Sequence, residues 1–219
     1  MYLCTIQHMR VGIFAGGSYS SHPFADNEIA RLDYIVAADG GAEIVLQLGL
    51  QPNVVIGDMD SLSKKSRNIL QQRGVQFIEF TAEKDETDTE LALQHAVKKG
   101  ATEITLFGGS MGDRIDHVLA NILLATLSPV TLQFVNGNQV AWMVKGPVAC
   151  SISGKKGDLL SLIPINGDVL GITSYGLFYQ LHNDRLIFGK SRGISNVFTK
   201  RKISLIIKNG TCLVVQTVV

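Results

Sequence analysis

As far as Pro129, short apolar runs alternate with segments whose apolar residues recur at helical spacing. The runs near Val11-Gly12-Ile13-Phe14, Tyr34-Ile35-Val36-Ala37-Ala38, Val54-Val55-Ile56, Val75-Gln76-Phe77-Ile78 and Glu103-Ile104-Thr105-Leu106-Phe107 are rich in β-branched or aromatic residues. Glycine or proline bounds most of them, which predicts strands. Between them, helices are expected over 42–48, from a cap at Ser61 or Ser63 to about 73, and from Thr87 to 99, closed by Gly49, Gly74 and Gly100. Thr87 and Glu90 have capping-box spacing. Residues 18–27 read as a polar loop and 118–127 as an apolar helix. Strand, helix, strand is the rhythm of a parallel α/β sheet. After Ser128-Pro129 no helical period remains. Short apolar runs alternate there with Asn136-Gly137-Asn138, Ile165-Asn166-Gly167-Asp168 and Lys208-Asn209-Gly210-Thr211. Asn-Gly is a strong hairpin signal, and 202–208 with 211–218 is the clearest hairpin expected. The fold class predicted is therefore α/β over 1–134, followed by an antiparallel β-sandwich or barrel over 135–219.

Composition adds little to this picture. The apolar fraction is 46%, yet no uninterrupted apolar stretch approaches the ~18 residues that a membrane helix needs. Twenty Lys and Arg against nineteen Asp and Glu give a formal charge of +1, which disfavours long nucleic acid as a partner. Met1-Tyr2-Leu3-Cys4 lacks the basic and apolar regions of a secretory signal. The isolated Cys4, Cys150 and Cys212 show no metal spacing, so a reducing, cytoplasmic setting is expected.

Charge placement changes the picture more. Asp39, Asp58, Asp60, Asp85 and Asp88 all follow predicted strands closely. In a parallel sheet those exits share the carboxyl edge, where open α/β sheets bind ligands. One acid at a helix start is explained by the macrodipole alone. Five gathered anions repel one another unless a cation neutralises them, and oxygen-only ligands favour Mg²⁺ over zinc or copper. Gly16-Gly17 suits close backbone approach to a ligand, or a plain turn. Gly108-Gly109 and a helix start near Arg114 form a candidate anion cradle. Arg114 suits a phosphate, or a structural pairing with Asp113 or Asp116. His117 reads as a structural group at a helix start as readily as a catalyst.

Taken in order, Ala38-Asp39-Gly40-Gly41, Gly57-Asp58-Met59-Asp60-Ser61, Lys84-Asp85-Glu86-Thr87-Asp88-Thr89-Glu90, Arg114-Ile115-Asp116-His117 and Gly193-Ile194-Ser195-Asn196 resemble the thiamine pyrophosphokinase family of bacterial type. The resemblance spans nearly the whole chain. It implies an α/β catalytic domain, a β-sandwich that helps bind thiamine, and a homodimer with active sites between subunits. It also implies Mg²⁺-dependent transfer of pyrophosphate from ATP to thiamine, giving thiamine diphosphate and AMP. By position it assigns Asp58, Asp60, Asp85 and Asp88 to the metal and phosphate centre, with Asp39 beside them and Thr87 as a hydroxyl contact. Arg114, Asp116 and His117 then belong to the substrate-binding loop, and Ser195 and Asn196 lie near the thiamine pyrimidine. Asp113 stands where relatives often have Gly.

In-line attack at phosphorus requires charge to be spread off the phosphate oxygens, donors to steady them, and a group to orient the alcohol. One of the carboxylates takes the hydroxyl proton or only orients it. Tyr175, Phe178 and Phe198 are candidates to cover the cationic thiazolium ring. Two other readings stay open: a different hydroxyalkyl heterocycle as acceptor, and a sensor that binds thiamine without turnover.

Overall fold

The computed structural model describes residues 8–109 and 114–219. Cys4, Asp113 and the rest of residues 110–113 lie outside the described residues. Contacts divide the chain into two compact units, Met1–Gly137 and Asn138–Val219.

In chain order, the first unit runs β1 (Arg10–Phe14), α1 (Pro23–Ile29), β2 (Tyr34–Ala38), α2 (Gly41–Gln47), β3 (Val54–Gly57), α3 (Lys64–Gln72), β4 (Gln76–Glu79), α4 (Asp88–Lys99), β5 (Glu103–Phe107), α5 (Ile115–Leu124) and β6 (Thr131–Asn136). Its strands form a parallel sheet in the order β4-β3-β2-β1-β5-β6. Strands β1, β3 and β5 are almost wholly buried, in keeping with their predominantly apolar sequences. Phe14 and Phe107, at the ends of neighbouring β1 and β5, stack with ring centroids 4.7 Å apart. From β1 the chain winds outward through β2, β3 and β4, then returns to β5 on the other side of β1. The carboxyl ends of β1 and β5 therefore flank a topological switch point.

The helix ends follow local chemistry. Ser63 caps α3 by accepting the Ser66 amide at 3.1 Å, and Thr87 caps α4 by accepting the Glu90 amide at 3.2 Å. The capping box is only half made, because the Glu90 carboxylate accepts from Gln94 within its own helix. Gly100 closes α4 in the left-handed conformation. One element was not expected: the polar stretch contains helix α1. His22 caps it through Nδ1, accepting the Phe24 amide at 3.1 Å, and Pro23 occupies the first turn. Only Ala25 of α1 is buried, so the helix carries almost no apolar periodicity to read.

The second unit contains β7 (Gln139–Lys145), β8 (Val148–Ser153), β9 (Leu159–Tyr175), β10 (Asp184–Leu186), β11 (Asn196–Val197), β12 (Lys202–Ile207) and β13 (Asn209–Thr217), all paired antiparallel. Strand β9 belongs to both layers of a sandwich. Its first half pairs with β13, which pairs with β7, and its end pairs with β12, which pairs with β8. Two turn expectations are corrected here. Asn166-Gly167 does not reverse the chain; Asn166, at φ 62°, bends β9 from one layer towards the other. Lys208-Asn209-Gly210 does not close a hairpin either, since β12 and β13 lie on opposite sides of β9 and do not pair. Asn-Gly reports tolerance of positive φ, whereas the pairing partner is chosen by packing.

The sandwich core includes Leu160, Leu162, Ile172, Phe198, Leu205 and Val214. Leu205 is fully buried, so Leu205→Ala is expected to destabilise the protein by about 2–5 kcal/mol, read from urea denaturation. Cys212 is also fully buried, and burial pushes its thiol up to about 12, so it serves as a small apolar filler. Among the described residues no helix is long and apolar enough to cross a membrane.

Candidate active site

Loops leaving the carboxyl edge of the parallel sheet surround a crevice of about 470 Å³. Ala15-Gly16-Gly17 after β1 and Gly108-Gly109 after β5 contribute backbone from the switch point. Asp39 and Gly40 follow β2, and Asp58, Asp60 and Ser61 follow β3. The start of α4 adds Thr87, Asp88 and Thr89, and the start of α5 adds Arg114, His117, Val118 and Asn121.

The carboxylates are aimed by backbone rather than left to side-chain freedom. Asp39 has φ 42° and donates its amide to the Ile56 carbonyl at 2.8 Å. The residue is 7% exposed, and its Oδ1 is buried without a hydrogen-bond partner. In the next loop Met59 adopts φ 65° with its side chain buried, which leaves the acids on either side of it facing the crevice. Asp58 Oδ1 accepts the Asp60 amide at 3.2 Å, and the Ser61 hydroxyl donates to Asp60 Oδ1 at 2.8 Å. One oxygen from each of Asp39, Asp58 and Asp60 lies within 4.8 Å of the other two. Asp88 is adjacent: a methyl carbon added at Gly57 would come within 2.9 Å of Asp39 Cβ and 3.0 Å of Asp88 Cγ.

Burial pushes the Asp39 carboxyl up, and the nearby charges of Asp60 and Asp88 push the same way, while Ser61 and the Gly40 amide oppose them. A buried anion with an unfilled oxygen and two neighbouring anions is a local electrostatic debt, which a bound cation relieves.

Other residues named from sequence are placed differently. Thr87 lines the crevice, but its hydroxyl already accepts the Glu90 amide. Asp85 is exposed and outside the crevice walls. Arg114 and His117 line the wall, yet the Arg114 guanidinium holds Asp116 through Nε at 3.0 Å and Nη2 at 2.6 Å. That contact lowers the Asp116 carboxyl to about 2. In the second unit, Ser195 is exposed at φ 57° and donates its amide to the Ser161 hydroxyl. Asn196 is 7% exposed; its amide group donates to the Tyr179 carbonyl at 2.6 Å, and its oxygen accepts the Tyr179 and Val197 amides. Phe198 is withdrawn as a ring-covering candidate because it is 1% exposed in the sandwich core; Tyr175 and Phe178 are exposed.

Three further residues matter to the site: the sequence assigned none to it, and offered Ser61 only as an alternative helix cap to Ser63, which is the residue that caps α3. Asn121 is buried and donates to the Gly109 carbonyl at 2.9 Å, fixing that glycine loop against α5. A lone amide within an apolar helix was its only signal. Ser61 orients Asp60, and Lys84 lies against Asp58 and Asp88.

A doubly wound sheet with acids, glycine loops and a helix start at its switch point defines an α/β protein with its ligand-binding crevice at that point. A family model described as "Thiamin pyrophosphokinase, catalytic domain" matches residues 25–133, and one described as "Thiamin pyrophosphokinase, vitamin B1 binding domain" matches 149–212. The chain belongs to the thiamine pyrophosphokinase family. It is 28% identical over 190 residues to the thiamine pyrophosphokinase of Bacillus subtilis, covering 85% of this chain and 88% of that one. A crystal structure of the Bacillus subtilis enzyme superposes with TM-score 0.85 at 25% identity, covering 95% of this chain and 99% of the other. A thiamin pyrophosphokinase from Geobacillus thermodenitrificans gives TM-score 0.81 at 27% identity, covering 95% and 97%.

Proposed function

We propose that the chain transfers the terminal pyrophosphoryl group of ATP to the hydroxyethyl oxygen of thiamine, giving thiamine diphosphate and AMP. The observation that carries this reading is the convergence of Asp39, Asp58 and Asp60 at one crevice, with a buried unpartnered Asp39 oxygen beside them. The donor set fits Mg²⁺, being made of hard carboxylate oxygens. Asp39, Asp58 and Asp60 would hold the ion, with Asp88 adjacent. When bound, it would supply positive charge against the phosphate oxygens.

The chain's own residues do the rest. The thiamine hydroxyl oxygen loses its proton and bonds to the β-phosphorus of ATP as the bond from that phosphorus to the α–β bridging oxygen breaks, so AMP leaves with that oxygen and the β- and γ-phosphates stay on thiamine. Gly16-Gly17 and Gly108-Gly109 line the crevice and would supply backbone amides as donors for phosphate. Arg114 can turn its guanidinium from exposed Asp116 to a phosphate, because an exposed pair is held weakly. A carboxylate left free of the metal takes or orients the hydroxyl proton of thiamine. In this reading residues 1–134 bind ATP and metal, and 135–219 form the thiamine-binding unit. Ser195 belongs to that unit's binding face, and Asn196 shapes it by pinning the Tyr179 backbone.

The same reading makes the protein a cytoplasmic homodimer, with thiamine and ATP as its partners. The exposed Ile115, Leu119 and Leu123 of α5, spaced by four residues on one helix face, support assembly with another surface. Light scattering that reports a monomer would remove the dimer. The activity is tested by incubating purified protein with ATP, Mg²⁺ and thiamine and resolving the nucleotides. AMP formed in step with thiamine diphosphate is expected. ADP would mark an ordinary kinase, and calorimetric binding of thiamine with no turnover would mark a sensor.

A further inference from the structure

Lys84 precedes α4 and is the one cation among the described residues within ion-pair distance of Asp58 or Asp88. Its side chain is 13% exposed, with Nζ 3.0 Å from Asp88 Oδ1 and 4.0 Å from Asp58 Oδ2. Asp58 is also one of the carboxylates grouped with Asp39 and Asp60. The ammonium charge is thus shared with the group assigned to the divalent ion.

The character of the contacts matters as much as their length. Although Nζ lies 3.0 Å from it, Asp88 Oδ1 receives no directed hydrogen bond and remains a buried oxygen without a donor. The directed bond from Nζ goes to the Thr81 carbonyl at 3.2 Å. The ammonium is therefore tethered to its own loop and leans over the acids electrostatically. A group held in this way can yield the carboxylates to another cation while keeping its anchor.

We propose that Lys84 is a resident counter-ion of the crevice: it offsets the charge of Asp58 and Asp88 while no metal is bound, and it weakens divalent-ion binding by competing for the same carboxylates. This rests on the metal assignment above and adds a control on affinity that the assignment does not contain. Two opposite effects follow from removing the charge. Without metal, the acids lose their compensation and the fold becomes less stable. With metal, the competitor is gone and the ion binds more tightly.

The test is a titration of Mn²⁺ into nucleotide-free protein, followed by electron paramagnetic resonance, for wild type, Lys84→Met and Lys84→Arg. Lys84→Met is expected to bind about tenfold more tightly, the order expected for one unit charge lost beside a partly buried site. Lys84→Arg, which keeps the charge, should stay within about twofold of wild type. In parallel, Lys84→Met should melt at a lower temperature than wild type in EDTA and recover in saturating Mg²⁺. Lys84→Gln replaces the Met variant if that one does not fold. Metal bound by both proteins, with equal or weaker affinity in the variant, overturns the counter-ion role and leaves the metal site standing. Metal bound by neither removes the site and the inference together. Binding gained by the variant where wild type shows none supports the proposal.

Discussion

Asp60→Asn is expected to lower turnover by about a thousandfold while the protein stays folded. The substitution keeps the shape of the side chain and an oxygen able to accept from the Ser61 hydroxyl, so local geometry survives. It removes one formal charge from the three carboxylates that approach within 4.8 Å of one another. Electrostatic stabilisation by a bound metal is worth several kcal/mol in a transition state, and about 4 kcal/mol corresponds to roughly three decades in rate. Asp60 is exposed, so the stability change should stay within about 1 kcal/mol. Steady-state release of AMP together with thermal melting checks both halves. A variant that keeps more than about a tenth of the activity removes Asp60 from the chemistry.

Gly57→Ala should damage both stability and turnover, through crowding rather than charge. Gly57 ends β3 at φ 149°, a conformation that side chains rarely adopt. An added methyl would meet Asp39 Cβ at 2.9 Å, Asp88 Cγ at 3.0 Å and Asp88 Oδ1 at 3.2 Å. Backbone strain and overpacking each cost about 1–3 kcal/mol, so a loss of about 3 kcal/mol in urea denaturation is expected. Two carboxylates would also be displaced, and misplacement by about 1 Å costs roughly a hundredfold in rate. Gly74→Ala separates the causes. Gly74 has φ 71° but open space around its Cα, so that variant should lose about 1 kcal/mol and keep its turnover. Equal activity losses in the two variants would refute the crowding argument.

The legible parts of this protein are those decided within a few residues. The apolar runs became β1 to β5, the Ser63 and Thr87 hydroxyls capped α3 and α4, and Gly100 ended α4. Helix α1 escaped notice because its start is signalled by a histidine ring and a proline, with only Ala25 buried to give a period. Asp39, Asp58, Asp60 and Asp88 could be placed near one edge because each closely follows a strand. That same reasoning gave no means to tell Asp88, which lines the crevice, from Asp85, which does not. Three residues separate them, and the orientation of the loop before α4 depends on what it packs against. Phe198 shows the same limit: just past β11, in an isolated bridge to Leu177, its ring faces the core rather than solvent, a choice set by its packing and not by its neighbours in sequence.

By itself, the amino-acid order determined which segments extend, which coil into helices, where each stops, and where carboxylates and glycines fall along the chain. These outcomes rest on dihedral preferences, capping groups and nearby burial, all local in sequence. Only the tertiary structure decided that β5 returns to lie beside β1, that β9 separates β12 from β13, and that Lys84 rests against Asp58 and Asp88. Such pairings are selected by competition among distant partners for the same buried surface and the same backbone hydrogen bonds, and no short stretch of chain records how that competition ends.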